Sequence, residues 1–367
     1  MYVVILVGIF AILFAYLESS ERTKNGLKIA FFLIIVFQSI RYDFGNDYMN
    51  YLNSFYRYQY YSGSLLNFEE LKDMQGHGDF GWVILCILFA PIGFFGMIML
   101  LSVLENWIIY DFVKTYVPKS WYPFALFIYV FNPNIMVMGG SMMRQWLAMC
   151  IFVFAFRFIR DKKPILYFIC IIVAMSIHGS SKILLPIFFL SYLRNFEFST
   201  KSLLWFVPAL VVWFLVAPSL FLSNINVIMG GDEMERFSDY TEGSGERYGV
   251  LGIVASFLFP IVCISQIKKF DTHYRLLILI FFLSILIRPL GLVIAMVLRL
   301  CFYFMIFSIV VFPLVLEKIA NTRRDYMIVL LAIIIIPILR DFYAFFHSET
   351  WIEKFTEYHT IIGLQWQ

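Results

Sequence analysis

The sequence predicts an all-α, polytopic integral membrane protein with about twelve transmembrane helices and helices lying on its outer face. Three observations predict it. Apolar residues make up 61% of the 367 positions and charged residues only 14%. With a mean hydropathy of +0.81, this composition excludes a soluble domain, which must cover its surface with polar groups. Apolar runs of about spanning length recur along the whole chain, shorter where a span is broken or buried in protein. Finally, short loops rich in Lys and Arg alternate with long acidic ones, as the charge bias of membrane insertion requires.

Taken in order, the expected spans lie near 2–17, 27–40, 80–101, 121–138, 143–159, 164–178, 180–193, 203–217, 249–267, 274–288, 290–316 and 326–341. The first lacks a basic flank and a small-residue cleavage site, so it reads as an anchor and not a signal peptide. Basic clusters at Arg22/Lys24/Lys28, Lys114/Lys119, Arg157/Arg160/Lys162/Lys163, Arg194/Lys201, Lys268/Lys269/Arg275 and Lys318/Arg323/Arg324 fall in alternate loops and are expected in the cytoplasm. Both termini then lie outside. The whole of 1–367 reads as one membrane domain, with an outer loop at 41–79, an outer gating loop at 218–248 and an outer C-terminal segment at 342–367. The acidic, Gly-rich composition of the gating loop suits a mobile cover.

In the first outer loop, Tyr48, Tyr51, Leu52 and Phe55 recur at helical spacing after the Gly45 hinge, with Asn46 or Asp47 as the start signal. This predicts a helix lying on the membrane surface. In the tail, Thr350 precedes Glu353 at capping-box spacing, with Trp351, Phe355 and Tyr358 on one face, which predicts a second one. The five cysteines, at 86, 150, 170, 263 and 301, all fall within spans, so no disulfide framework is expected. No Cys/His spacing suggests a metal, and no Gly-rich phosphate loop suggests a nucleotide. A net charge of +3 points to no nucleic-acid partner.

Arg299 is the most informative single residue. It stands nine residues inside the run 290–316, roughly 13 Å deep if that run is one helix. A charge there costs about 2.5–3.5 kcal/mol on insertion scales, so it faces a wet cavity, an anionic ligand or a buried carboxylate. Arg41, Arg144, His178 and Arg288 fall at the outer ends of other spans. Few carboxylates lie within the spans to pair with these arginines, and Glu105 and Asp111 read as cytoplasmic. A strongly anionic ligand such as diphosphate is therefore expected, held bidentately by guanidinium forks. Arg41 and Arg288, at span ends, also fit snorkelling to head groups. Asp43 and Asp47 beside tyrosine rings suit carbohydrate.

The order of these motifs resembles the EpsG family of Wzy-like polymerases of exopolysaccharide, capsule and O-antigen. The matching residues are Arg41, Gly45, Asp47, Tyr48 and Tyr51, then Asp79-Phe80-Gly81-Trp82, then Met143-Arg144-Gln145 with Ala148, then Ile177-His178-Gly179-Ser180, then Leu298-Arg299-Leu300-Cys301-Phe302-Tyr303-Phe304. The chain departs from the pattern at Asp79, where the family usually has Glu, and at Gly179, where a bulkier residue is commoner.

The resemblance implies a metal-independent glycosyltransferase of GT-C-like architecture at the outer face of the bacterial inner membrane. Such an enzyme moves a growing glycan from an undecaprenyl diphosphate carrier to the nonreducing end of a lipid-linked acceptor repeat unit. A Wzz-like chain-length regulator is the protein partner it implies, and membrane lipid surrounds it. No cofactor is implied. On this reading Arg299, Arg144, Arg288 and Arg41 hold diphosphate, while Asp43, Tyr48, Tyr51, Gln145 and Tyr303 contact glycan. Asp47, His178 and Asp79, in that order, are candidates to take the acceptor proton. A lipid-linked oligosaccharide flippase or transporter and an O-antigen ligase are the alternatives. A flippase would line a path across both leaflets, whereas these polar groups collect on one side.

Overall fold

A computed structural model describes residues 1–60, 79–193, 200–223, 259–292, 297–321, 324–349 and 351–362. The rest of the first outer loop, the gating loop from 224, the start of the 249–267 span and the capping Thr350 lie outside the described residues. The protein is a helical membrane protein. Two compact units divide it, one of Met1–Phe188 with Ile335–Gln367 and one of Phe189–Ile334. Among the described residues, four helical stretches have the length and apolarity to cross a membrane: Tyr2–Ser19, Ala90–Tyr116, Thr272–Gly291 and Met327–Phe346. A fifth crossing is made if the pair Leu298–Met305 and Ser308–Ala320, bent by 52°, counts as one span.

The first unit begins with α1 (Tyr2–Ser19), whose small buried residues Gly8, Ala11 and Ala15 follow Val4 on one face. That face packs on α2 (Gly26–Ser39) and α6 (Tyr122–Phe131). A Cβ at Gly8 would lie 2.7 Å from the Phe131 ring, so only glycine permits this approach. Glu18 accepts a 2.7 Å bond from the Leu27 amide and so caps the start of α2.

After α2 the chain forms a two-residue strand β1 (Arg41–Tyr42), then α3 (Tyr48–Tyr60). The expected helix is present, but its apolar stripe of Tyr48, Leu52 and Phe55 packs into a protein core with Trp82, Phe94 and Leu147 and does not face lipid. The expected single span at 80–101 is broken. A short α4 (Phe80–Leu88) is followed, after a turn of tighter helix at Ala90–Ile92, by α5 (Gly93–Tyr116). Pro91 and the left-handed Gly93 (φ +75) make the break. The run 121–138 is likewise split into α6 and α7 (Met136–Ser141) at Asn132-Pro133. Then follow α8 (Met143–Arg160) and α9 (Pro164–Ile177). Residues Gly179–Phe189, expected to begin a span, wind as 3-10 helix.

The C-terminal tail returns to the same end of this unit. Strand β2 (His359–Thr360) pairs antiparallel with β1, the Gly45 amide donates to Lys354 O at 3.0 Å, and the Met1 ammonium donates to Phe355 O at 3.2 Å. Lys354 Nζ pairs with Asp43 at 3.1 Å.

In the second unit, Thr200–Ser223 and Thr272–Ile287 are long helices. The run 290–316, expected to be one helix, is not continuous. Arg288–Leu292 is 3-10 helix, and Leu298–Met305 is a short helix bent from Ser308–Ala320. Arg299 is the second residue of the helix Leu298–Met305.

Candidate functional site

The first unit gathers four motifs at one end. Asp79 occupies the position before α4, where an aspartate ordinarily caps its own helix, yet its side chain makes no capping bond. It is engaged elsewhere. Oδ2 accepts a 2.9 Å bond from Arg144 Nη1, Oδ1 accepts a 2.9 Å bond from the Gly179 amide, and His178 Nδ1 lies 3.5 Å from Oδ2. One carboxylate therefore ties together the start of α8, the end of α9 and the start of α4.

Backbone geometry brings these residues together. His178 is the extended residue closing α9 (φ −151, ψ 111). Arg144 follows the break between α7 and α8, where Met142 leaves helical geometry (ψ 59). Gly81 lets α4 approach the end of α9, because a Cβ there would come within 2.8 Å of the Ser176 backbone carbon. Gly45 (φ +115) packs against Ser141, whose hydroxyl accepts a 3.4 Å bond from the Asp47 amide. Asp47 starts α3, its carbonyl accepting the Tyr51 amide at 3.0 Å.

The cluster is partly open. Side-chain exposure is 32% for Arg144 and 13% for Asp79, and 25% for His178. His178 Nδ1 is itself buried and makes no hydrogen bond among the described residues. Tyr51 packs against Trp82 with centroids 5.4 Å apart, and the Arg144 guanidinium lies 5.8 Å from the Tyr51 ring. Burial raises the Tyr51 phenol above its ordinary value, Arg144 partly opposing, so it stays neutral near pH 7.

Several predicted residues are placed differently. Arg41, expected on diphosphate, is enclosed: its guanidinium donates to Gln38 O and, at 3.5 Å, to Ser102 Oγ. Glu105, expected in the cytoplasm, is buried within α5 and acts electrostatically on Arg41. Beside them Asn106 donates to Gln38 Oε1 at 2.5 Å and accepts from the Tyr129 hydroxyl at 2.8 Å. This buried polar network has no periodic signature in the sequence. The expectation that the arginines lack carboxylate partners is corrected at Arg144, paired with Asp79, and at Arg41, beside Glu105.

Among the expected glycan contacts, Tyr48, Gln145 and Tyr303 are buried, Asp43 is paired with Lys354, and Tyr51 remains at the cluster. Arg288 and Arg299, both partly exposed, belong to the second unit. Among the described residues no group of three or more His, Cys, Asp or Glu side chains is arranged to hold a metal.

These features define a helical membrane protein with an Arg–Asp–His cluster at one end of its first unit. The chain belongs to the EpsG family, whose model matches residues 26–360, nearly its whole length. That family contains Wzy-like polymerases, so this is a polysaccharide-polymerase-like membrane protein. No curated protein and no solved structure matches the chain.

Proposed function

We propose that the protein polymerises lipid-linked oligosaccharide repeat units at the outer face of a bacterial inner membrane, within a GT-C-like architecture of about twelve spans. The growing glycan passes from polyprenyl diphosphate to the nonreducing end of an acceptor repeat unit. The observation that carries this reading is Asp79 bound at once to Arg144 and the Gly179 amide, with His178 beside it.

Glycosyl transfer needs a base for the acceptor hydroxyl and positive charge for the departing diphosphate. His178 is ranked ahead of Asp47 and Asp79 as base. Its Nδ1 lies 3.5 Å from Asp79, and the ring's other nitrogen is the one proposed to receive the proton. The acceptor oxygen forms the new bond to the anomeric carbon, the carbon–oxygen bond to diphosphate breaks, and the leaving diphosphate takes the electron pair. Arg144, held in place by Asp79 and Tyr51, meets that developing charge. Arg299 and Arg288 are proposed as further diphosphate ligands from their sequence settings, and a Wzz-like regulator as the protein partner from the resemblance.

The test is to incubate purified protein in nanodiscs with a polyprenyl-diphosphate-linked repeat unit and no nucleotide sugar. A ladder spaced by one repeat, lost in His178→Ala and Arg144→Ala, is the expected result. Movement of the lipid between leaflets without a ladder would instead make the protein a transporter.

A further inference from the structure

The helices α5 and α8 also form a cavity at the end of α8 remote from Arg144. It has a volume of about 220 Å³ and is lined by Asp111, Thr115, Tyr116, Arg157 and Arg160 together with apolar side chains such as Phe156. Arg157 lies 13 residues beyond Arg144, roughly 20 Å along the helix at 1.5 Å per residue. This is a separate place from the glycan-transfer cluster, and the inference does not rest on that function.

Both guanidinium groups are held before any ligand arrives. Arg157 donates through Nη2 to Asp111 Oδ2 at 3.1 Å and through Nε to Phe154 O at 3.1 Å, and it lies 4.1 Å from the Phe154 ring centroid. Arg160 donates through Nη1 to the Tyr116 hydroxyl at 2.9 Å and, as a fork, through Nε and Nη2 to Asp161 at 2.8 and 3.3 Å. Exposed Lys162 and Lys163 follow Arg160 in the turn after α8, so cations outnumber the carboxylates of Asp111 and Asp161. Arginines fixed in a cationic setting suit a phosphate anion, which would share them with their carboxylates.

The source of that phosphate follows from the outer surface of α5. Leu100, Val103, Leu104 and Trp107 are exposed on one stripe of this helix, and at helical spacing the same stripe continues into Asp111 and Thr115. Acyl chains lying along it would end at the cavity. We propose that the cavity binds the phosphate of an anionic membrane phospholipid, as basic pockets between membrane helices do.

Native mass spectrometry of the purified protein, with phosphatidylglycerol or phosphatidylcholine added at equal concentration, tests this. Wild type should retain phosphatidylglycerol in preference, and the double variant Arg157→Gln/Arg160→Gln should lose that preference by on the order of tenfold. Asp111→Asn frees Arg157 and should strengthen retention, which keeps the test open if the double variant does not fold. Equal retention of the two lipids, or no change in either variant, overturns the proposal. Stabilisation by inorganic phosphate without retention of phosphatidylglycerol overturns the assignment to lipid.

Discussion

Asp79 and Arg144 are 65 positions apart in sequence, yet their side chains meet at 2.9 Å, and the same carboxylate oxygen stands 3.5 Å from His178 Nδ1. The carboxylate is only 13% exposed. Its charge is met directly by these neighbours, which makes each partner sensitive to the other two.

Asp79→Asn keeps the shape and removes the charge. A lost charge-assisted bond of about 1.5–3 kcal/mol predicts a fall in polymerisation on the order of tenfold to a hundredfold. Asp79→Glu, which restores both the charge and the residue common in the resembling family, should retain more activity than Asn. Initial rates of ladder formation check both.

His178→Gln should lower turnover by about two to four orders of magnitude, as loss of a general base does. Donor binding should change little, because the proposed phosphate contact is Arg144. Measuring kcat and KM for the donor separately distinguishes this from misfolding, which would reduce the folded fraction instead.

Arg144→Lys keeps a positive charge and loses the planar fork that reaches Asp79. Activity should fall by at least about tenfold. Full activity in this variant would show that the bond to Asp79 is dispensable.

Gly81→Ala places a methyl group against the end of α9, within 2.8 Å of the Ser176 backbone carbon and 2.9 Å of its Cβ. Overpacking of this kind costs about 1–3 kcal/mol. It should also push Asp79 away from His178, so activity should fall further than the melting temperature alone predicts.

Arg41→Met should act on stability. The guanidinium is enclosed beside Glu105 and donates to Gln38 and Ser102, and removing one member of a buried charged network costs about 3–5 kcal/mol. A lower melting temperature and a lower folded yield are expected in a fluorescence-detected thermal scan. A raised donor KM at unchanged stability would return Arg41 to the diphosphate site.

The membrane class, the helical content and the motif order were legible in the sequence, because apolar composition and run length follow from the solvent a chain must meet, whatever its neighbours. Asp79, Arg144 and His178 were each legible as candidates for the same reason: polar groups beside apolar runs are costly and stand out. What only the tertiary structure decided is where those runs break and which side chains meet. Hydropathy averages over a window and does not register that Pro91 and Gly93 separate α4 from α5, that the helix carrying Arg299 bends by 52° into the next, or that Glu105 lies inside α5 beside Arg41. Nor does a local pattern place Tyr48 in the core while leaving Tyr51, three residues on, beside Arg144. The pairing of Asp79 with Arg144 and His178 depends on three helix ends converging, and that convergence is set by long-range packing at glycines such as Gly81, which no period in the sequence encodes.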